Sequence, residues 1–463
     1  MTVASLTPNL STPLQVVIGL GQSGLSAAKY LTHQGFCVAV TDESDAPALA
    51  NQLPDAITIR KFGGIDPELL LTACRIIISP GISLEHPAIQ AAKAKNISVV
   101  SDIQLFCEAN CAPIVAITGS NAKSTVTTLV GQMAKDAGVK VGVGGNIGIP
   151  ALNLLDDPDM ALVVLELSSF QLETVSNLNA QVATVLNMSP DHLDRHHDML
   201  GYHQAKHRIF QGAKSVVINR DDPMTKPLLA KDLPCLSFGI QAPTGDDFGL
   251  IIDNGQTYLA KGSHKLIGAD ELMIKGRHNL LNAQAALALG ELAGLPLDSM
   301  IATLKSFSGL DHRCQFVANH QGIDYFNDSK GTNIGSTMAA IEGLGAVYAP
   351  KDGKLLLILG GQGKGQDFRE LVPLINRYVS HVLLIGEDAQ NIAADLSALS
   401  AEVSITFCQT LDRAMQAIAT IVESSLSQVQ AVLLSPACAS LDQFKNFADR
   451  GQAFSRHVQA MID

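Results

Sequence analysis

Short apolar runs dense in valine, isoleucine and leucine recur along the chain at 16–18, 37–41, 75–78, 114–117, 161–165, 182–186, 215–219, 324–327, 354–359, 381–385 and 431–434. Runs this short that are apolar on both faces read as buried strands, and the stretches between them carry helical spacing. Strand and helix therefore alternate, which predicts an α/β fold with doubly wound, mostly parallel sheets. Helices are expected at 126–136, 201–212 and 280–293, with strands near 249–252 and 257–259 in a less regular stretch. The segment 142–148, Gly-Val-Gly-Gly-Asn-Ile-Gly, is too rich in glycine for strand or helix and reads as a loop. At 463 residues the chain exceeds one core. The pattern restarts near 101 and 308, so three domains are expected, 1–101, 102–308 and 309–463.

The turns that close the strands carry the chemistry. After the run 114–117 come Thr118-Gly119-Ser120-Asn121-Ala122-Lys123-Ser124-Thr125 and a helix. Backbone N–H groups of such a turn and the positive end of the helix point at an anion. Lys123 adds a point charge, and the Ser124 hydroxyl can hold Mg²⁺. An ATP site is the expectation, with one irregularity: Ala122 stands where a phosphate loop has glycine. Earlier, Gly19-Leu20-Gly21-Gln22-Ser23-Gly24 lies between strand and helix, and Asp42 follows about 20 residues on, which satisfies the dinucleotide fingerprint. That fingerprint certifies a place for a diphosphate or ribose, so any nucleotide-linked ligand is compatible with it. Ser79-Pro80-Gly81 sits at the carboxyl end of another strand of this domain.

Glu166, at the end of the run 161–165, stands where a Mg²⁺ ligand or a water-positioning group would be in such a domain. Three histidines crowd 192–197 without a zinc-like spacing, and His192, which comes soonest after the strand, is the functional candidate. Lys206 by itself reads as a surface charge. Asn279 and Asn282 share a helix face and can present amides to a base edge. In the last third, Asp328-Ser329-Lys330-Gly331-Thr332-Asn333 and Gly360-Gly361-Gln362-Gly363-Lys364-Gly365 follow strands. The second has no Ser or Thr after its lysine, so it suits a small anion or carboxylate.

Composition narrows the partners. With 47% hydrophobic residues, 16% charged and a net charge of −12, the chain is globular and gives no surface for nucleic acid or an anionic membrane. The eight cysteines are scattered with no metal spacing, consistent with reduced thiols. The start Met1–Pro8 lacks a basic, then apolar leader, and no run of about 18 apolar residues occurs, so a cytoplasmic location is expected, with a monomer as the expected state.

Three glycine or polar turns with a single lysine-serine pair are the layout for ATP, a nucleotide-like substrate and a small anion. The segments Gly119–Thr125, Glu166-Leu167-Ser168-Ser169-Phe170-Gln171-Leu172, Asp191-His192-Leu193-Asp194-Arg195-His196, Gly276-Arg277-His278-Asn279, Asp328-Ser329-Lys330 and Ser435-Pro436-Ala437-Cys438-Ala439-Ser440 together resemble the Mur ligases of peptidoglycan synthesis. Within that family they are most similar to the branch that adds D-glutamate to UDP-N-acetylmuramoyl-L-alanine. The resemblance spans essentially the whole chain.

It implies a Rossmann-like first domain holding UDP, a central P-loop ATPase-like domain, and a Rossmann-like last domain for the incoming amino acid. Gly21, Gln22, Ser23, Asp42, Ser79, Gly81, Asn146 and Ser168 would serve the UDP-substrate. Residues 119–125 with Asn279, Asn282, Arg313 and Asp328 would bind ATP. Ser124 and Glu166 would hold Mg²⁺, His192 a second Mg²⁺ toward which Lys206 would bridge as a carbamate, and Lys123, Glu166, His192 and Lys206 would be catalytic. Lys330, Thr332, Lys364, Ser440, Leu441 and Phe447 would surround D-glutamate. The reaction implied is acyl-phosphate formation followed by amide closure. The sequence departs from the family pattern at Ala122, at Gln362 (aspartate in many relatives) and at Glu43-Ser44 after Asp42. A folylpolyglutamate synthase-like ligase should lack the 19–42 fingerprint, and an NAD-dependent oxidoreductase would give Lys123 no role.

Overall fold

The structure is a computed structural model that describes residues 13–462 apart from 177, 229–232, 275, 350–351 and 425–427. The start Met1–Pro8 therefore lies outside the described residues. The chain forms two compact units. One comprises the chain through Gly239 with Asp246–Phe248 and Ala285–Met300; the other comprises Ile240–Gly245, Gly249–Gln284 and Ile301–Asp463.

The first unit holds two parallel sheets. Strands β1 (Leu14–Ile18), β2 (Cys37–Asp42), β3 (Ile59–Phe62), β4 (Arg75–Ile78) and β5 (Ser98–Ser101) lie in the order β3-β2-β1-β4-β5. The order reverses between β1 and β4, where an open α/β sheet has its crevice, and the 19–24 turn and Ser79 both sit there. Strands β6 (Ile114–Thr118), β7 (Val141–Gly145), β8 (Leu162–Glu166), β9 (Val182–Val185), β10 (Val216–Asn219) and β11 (Cys235–Phe238) form the second sheet, ordered β11-β10-β9-β6-β8-β7. All five residues of β6 are buried, because a parallel strand in the middle of a sheet is covered on both faces. One continuous core, from Val17 and Leu25 through Phe106 to Ala116 and Val163, joins these two sheets.

The expected loop at 142–148 is a correction: Val141–Gly145 is the edge strand β7, paired with β8. Its glycines answer to close packing. A Cβ on Gly144 would stand 2.4 Å from the Ile149 carbonyl oxygen, and one on Gly142 would stand 2.3 Å from the Met160 sulfur. Tertiary crowding thus demanded residues whose strand propensity is low. The expected helix at 201–212 runs instead over Met199–His207 and tightens into a 3₁₀ turn at Arg208–Phe210. It starts early because the Asp198 carboxylate accepts from the Gly201 N–H at 2.8 Å.

The second unit carries a small sheet, β12 (Phe248–Asp253), β13 (Gln256–Lys261) and β14 (His264–Gly268), and a six-stranded one. The latter orders β15 (Gln315–His320), β16 (Ile323–Asn327), β17 (Lys354–Gly360), β18 (Val379–Ile385), β19 (Ser404–Gln409) and β20 (Val429–Leu434) as β15-β16-β20-β17-β18-β19, antiparallel at β15–β16 and parallel elsewhere. Along β17 alternate residues feed opposite faces: Leu355, Leu357 and Leu359 enter one core, Leu356 and Ile358 the other. Among the described residues no helix is long and apolar enough to cross a membrane.

Candidate active site

β6 lies between β8 and β9, so the turn that leaves its carboxyl end is flanked by the ends of both neighbours. Gly119 has φ +155°, and a side chain there would press on Leu186. The turn is pinned to the segment after β9. Ser120 N–H donates to the Asn187 carbonyl (2.9 Å), Asn121 N–H to Asn187 Oδ1 (2.8 Å), and Ser189 N–H to Ser120 Oγ (2.9 Å). The helix Lys123–Asp136 then begins with Ser124 buried. Lys123 Nζ donates to the carbonyls of Gly119 (2.8 Å) and Ser120 (2.9 Å), which holds the ammonium over the loop.

Ala122 takes φ +64°, ψ −3°, the left-handed conformation that glycine adopts at no steric cost. For an L-residue this costs roughly 1–2 kcal/mol. Ala122→Gly should therefore raise stability by up to about 1 kcal/mol, after the greater unfolded-state entropy of glycine is allowed for. Denaturant melts should show it, and a destabilised variant would mean the loop is not strained.

Glu166 ends β8 and is buried. Its Oε1 accepts from Asn146 Nδ2 at 2.7 Å, while Oε2 has no hydrogen-bond partner among the described residues. A buried carboxylate oxygen left open beside a lysine-serine turn suits a hard cation. Asn146, expected on the UDP-substrate, donates to this carboxylate and fixes its orientation. Ser168, also expected on the UDP-substrate, caps the helix Ser169–Leu172 in a box with Gln171. Among the described residues no three His, Cys, Asp or Glu form a preformed metal cluster. Mg²⁺ that draws most ligands from phosphate and water needs none, so the residues present fit it.

Lys206, expected by residue type to be a surface charge, is buried, a correction that places it at the heart of the site. Its Nζ donates to the Gly119 carbonyl at 2.9 Å and lies 4.6 Å from the Tyr202 ring centre. Burial, and then the charge of Lys123, hold its pKa well below the ordinary lysine value; Asp191 and Glu166 oppose the shift. The amine is thereby disposed toward its neutral, nucleophilic form. His192 is half-exposed, 3.7 Å from the Asp191 carboxylate, and meets Phe170 edge-on. His196 is the buried histidine: Nε2 is 2.9 Å from Ser169 Oγ, and the ring stacks on Phe170.

In the first sheet's crevice, a Cβ on Gly24 would stand 1.9 Å from the Gly19 carbonyl oxygen, whereas Gly21 faces open space. Ser79 Oγ donates to the Gly19 carbonyl (2.6 Å), and Asp42 accepts from the N–H groups of Leu20 (2.5 Å) and Ser44 (2.8 Å). Asp42 thus shapes the turn, and Gly21, Gln22 and Gly81 remain exposed at its mouth.

In the second unit, Asn282 Nδ2 donates to Asn279 Oδ1 at 3.0 Å, so the two amides do share a face. Asp328 is buried beside Arg313 and accepts from Ser435 Oγ (2.6 Å) and Cys314 N–H (3.1 Å). Burial raises its pKa to about 6. Lys330 Nζ lies 5.1 Å from the Phe447 ring centre, which brings two of the expected D-glutamate residues together. Ser440 is buried, Thr332 half-buried, and Lys364 and Leu441 exposed.

Two residues hold these loops and escaped the sequence reading. Arg450 is fully buried. Its guanidinium donates to Ser329 Oγ (3.0 Å) and to the carbonyls of Ser329 (2.8 Å) and Cys438 (3.0 Å). Gln366 Nε2 donates to the Gly363 and Ala437 carbonyls while its Oε1 accepts from Ile334 N–H. Nothing local in the sequence marked Arg450, which directly follows Asp449 in a helix and reads there as an ordinary surface charge.

Three family models match consecutive segments: "Mur ligase MurD-like, N-terminal domain" over 14–101, "Mur ligase middle domain" over 117–290, and "Mur ligase, glutamate ligase domain" over 312–438. The UDP-N-acetylmuramoylalanine–D-glutamate ligase of Psychrobacter arcticus is 70% identical over the full chain and 98% of its own length. The like-named ligase of Acinetobacter baylyi is 54% identical over 97% of this chain and 98% of its own. In fold, the chain is similar to UDP-N-acetylmuramate-alanine ligase MurC of Thermotoga maritima (TM-score 0.59, 18% identity, 97% of this chain and 99% of that one). It is likewise similar to MurF of Acinetobacter baumannii (TM-score 0.61, 16% identity, 97% and 90%).

Proposed function

The chain belongs to the Mur ligase family, and from that we propose that it joins D-glutamate to UDP-N-acetylmuramoyl-L-alanine at the expense of ATP, as the ligases named MurD do. The observation that carries the reading is the buried Glu166, its Oε2 open, at the strand end beside the Lys123-Ser124 turn. It is supported by identity along the whole length to relatives of that name. A dehydrogenase would leave that turn without work. The matching N-terminal segment supplies the UDP fingerprint that a folylpolyglutamate synthase-like enzyme should lack.

The residues then have these roles. The 119–125 turn and Lys123 take the triphosphate and neutralise charge that moves onto its terminal phosphoryl oxygens as the alanyl carboxylate attacks. Ser124 and Glu166 would hold Mg²⁺, and His192 would hold a second Mg²⁺ toward which Lys206 as a carbamate would reach; the metals would supply Lewis-acid polarisation of the phosphoryl oxygens. Carbamylation needs a free amine; burial provides it at Lys206, and the product is an anion in place of a cation. The 19–24 turn, Ser79, Gly81 and Asp42 seat the UDP group, with Asn146 and Ser168 on the muramoyl-alanyl part of the same substrate. Asn279, Asn282, Arg313 and Asp328 serve the nucleotide. Lys330, Thr332, Lys364, Ser440, Leu441 and Phe447 take D-glutamate, whose amine then displaces phosphate from the acyl phosphate. We place the enzyme in the cytoplasm as a monomer.

The test is ADP release. UDP-N-acetylmuramoyl-L-alanine with D-glutamate should release ADP and phosphate; folate with glutamate should not, and no NAD should turn over. Silence with the first pair would overturn the proposal.

A further inference from the structure

Asp102 is a buried carboxyl group that the chemistry above does not use. It opens the helix Asp102–Ala109 just after the Ser101 cap, is 2% exposed, and neither of its oxygens has a hydrogen-bond partner of normal geometry among the described residues. Its helix packs on the helix Gln22–His33, and the side chain it faces there is Ser23, in the turn that seats the diphosphate. A negative group aimed at an anion site should repel the anion.

The chemistry of one hydroxyl resolves the conflict. A serine has one proton to donate. Facing an ionised Asp102, Ser23 spends that proton on the carboxylate and offers the phosphate only lone pairs. Facing a protonated Asp102, Ser23 accepts from the carboxyl O–H, and its own proton is free for a phosphate oxygen. We propose that Asp102 is a proton-coupled positioning residue of the diphosphate subsite: the UDP-substrate binds with uptake of one proton from solvent onto Asp102, which turns the Ser23 hydroxyl toward the phosphate. This rests on the reading of the 19–24 turn as the UDP site.

The surroundings suit such a switch. Burial raises the Asp102 pKa to about 6, with Ser23 opposing. Around it, the helix Gln22–His33 carries Lys29, Tyr30 and His33, the turn Ala151–Asp156 carries Asp156, and its own helix carries Cys107 and Glu108. Of these, Cys107 couples to Asp102, and its thiol is pushed up to about 12, so it stays neutral throughout.

Calorimetric titration with UDP-N-acetylmuramoyl-L-alanine, in buffers of different ionisation enthalpy, reads the coupling directly. Its doubly esterified diphosphate and its carboxylate do not titrate near neutrality. The wild type should take up most of a proton, and its Kd should weaken by on the order of tenfold or more between about pH 6 and about pH 8, as the competent fraction falls. Asp102→Asn, whose amide donates permanently to Ser23, should take up none and bind equally at both. Ser23→Ala should bind more weakly and also lose the uptake. Equal uptake in wild type and Asp102→Asn, or none in the wild type, would overturn the inference and leave the UDP site standing. Absence of binding by the wild type would sink both.

Discussion

Lys206→Ala should lose ligase activity by roughly 10²- to 10³-fold, the scale expected when one preorganised charge-stabilising group is removed. Short carboxylates such as acetate or formate, added at high concentration, should restore part of it. The rescue separates two roles. If Lys206 only tied its helix to the phosphate turn through the Gly119 carbonyl, a small anion in the vacated space could not replace an ammonium donor. If Lys206 works as a carbamate, the anion supplies what was lost. The pH dependence has a definite sign. A lysine amine reacts with CO₂ only when unprotonated, and burial holds its pKa well below the ordinary lysine value. Carbamylation should thus persist to lower pH than at an ordinary lysine and be lost as pH falls through that lowered value. Depleting the wild type of CO₂ should lower activity reversibly. Neither rescue nor CO₂ dependence would leave Lys206 a structural staple.

What the sequence disclosed of this site follows from how each group is held. Lys123, Ser124 and Glu166 were readable because they sit at strand ends, where a local apolar run predicts position. Lys206 looked like a surface charge because its burial depends on Tyr202 and on the phosphate turn, both set by tertiary packing. The glycines of 142–145 misled for a related reason: residues chosen to let Met160 and Ile149 approach resemble residues chosen for a loop. The hydrogen bond of Asn146 to Glu166 was not legible, because it links the ends of β7 and β8, neighbours that only the sheet order reveals. The alternation of strand and helix in the parallel sheets was legible, since parallel strands buried on both faces need continuous apolar runs.

The second large effect is expected at Arg450, which belongs to none of the motifs. Its guanidinium has carbonyls and a hydroxyl for partners, and burial lowers its pKa to about 10, so it keeps its charge at neutral pH. The fork ties the Ser329 loop to the Cys438 loop, and the Ser329 hydroxyl in turn donates to the Phe447 carbonyl at 2.8 Å. Lys330, Ser440 and Phe447 therefore all hang from segments that this one side chain holds. Arg450→Met keeps the bulk and removes the donors. With hydrogen bonds to a charged group worth about 1.5–3 kcal/mol each and not additive, destabilisation of about 3 kcal/mol or more is expected in denaturant melts. Arg450→Lys retains a cation without the fork, and should fold while its loops sit less exactly placed. In that variant the KM for D-glutamate should rise about tenfold or more, with the KM for UDP-N-acetylmuramoyl-L-alanine unchanged, because the first substrate's turn belongs to the other unit. Equal rises in both would show that Arg450 supports the fold at large and does not position the amino-acid loops in particular.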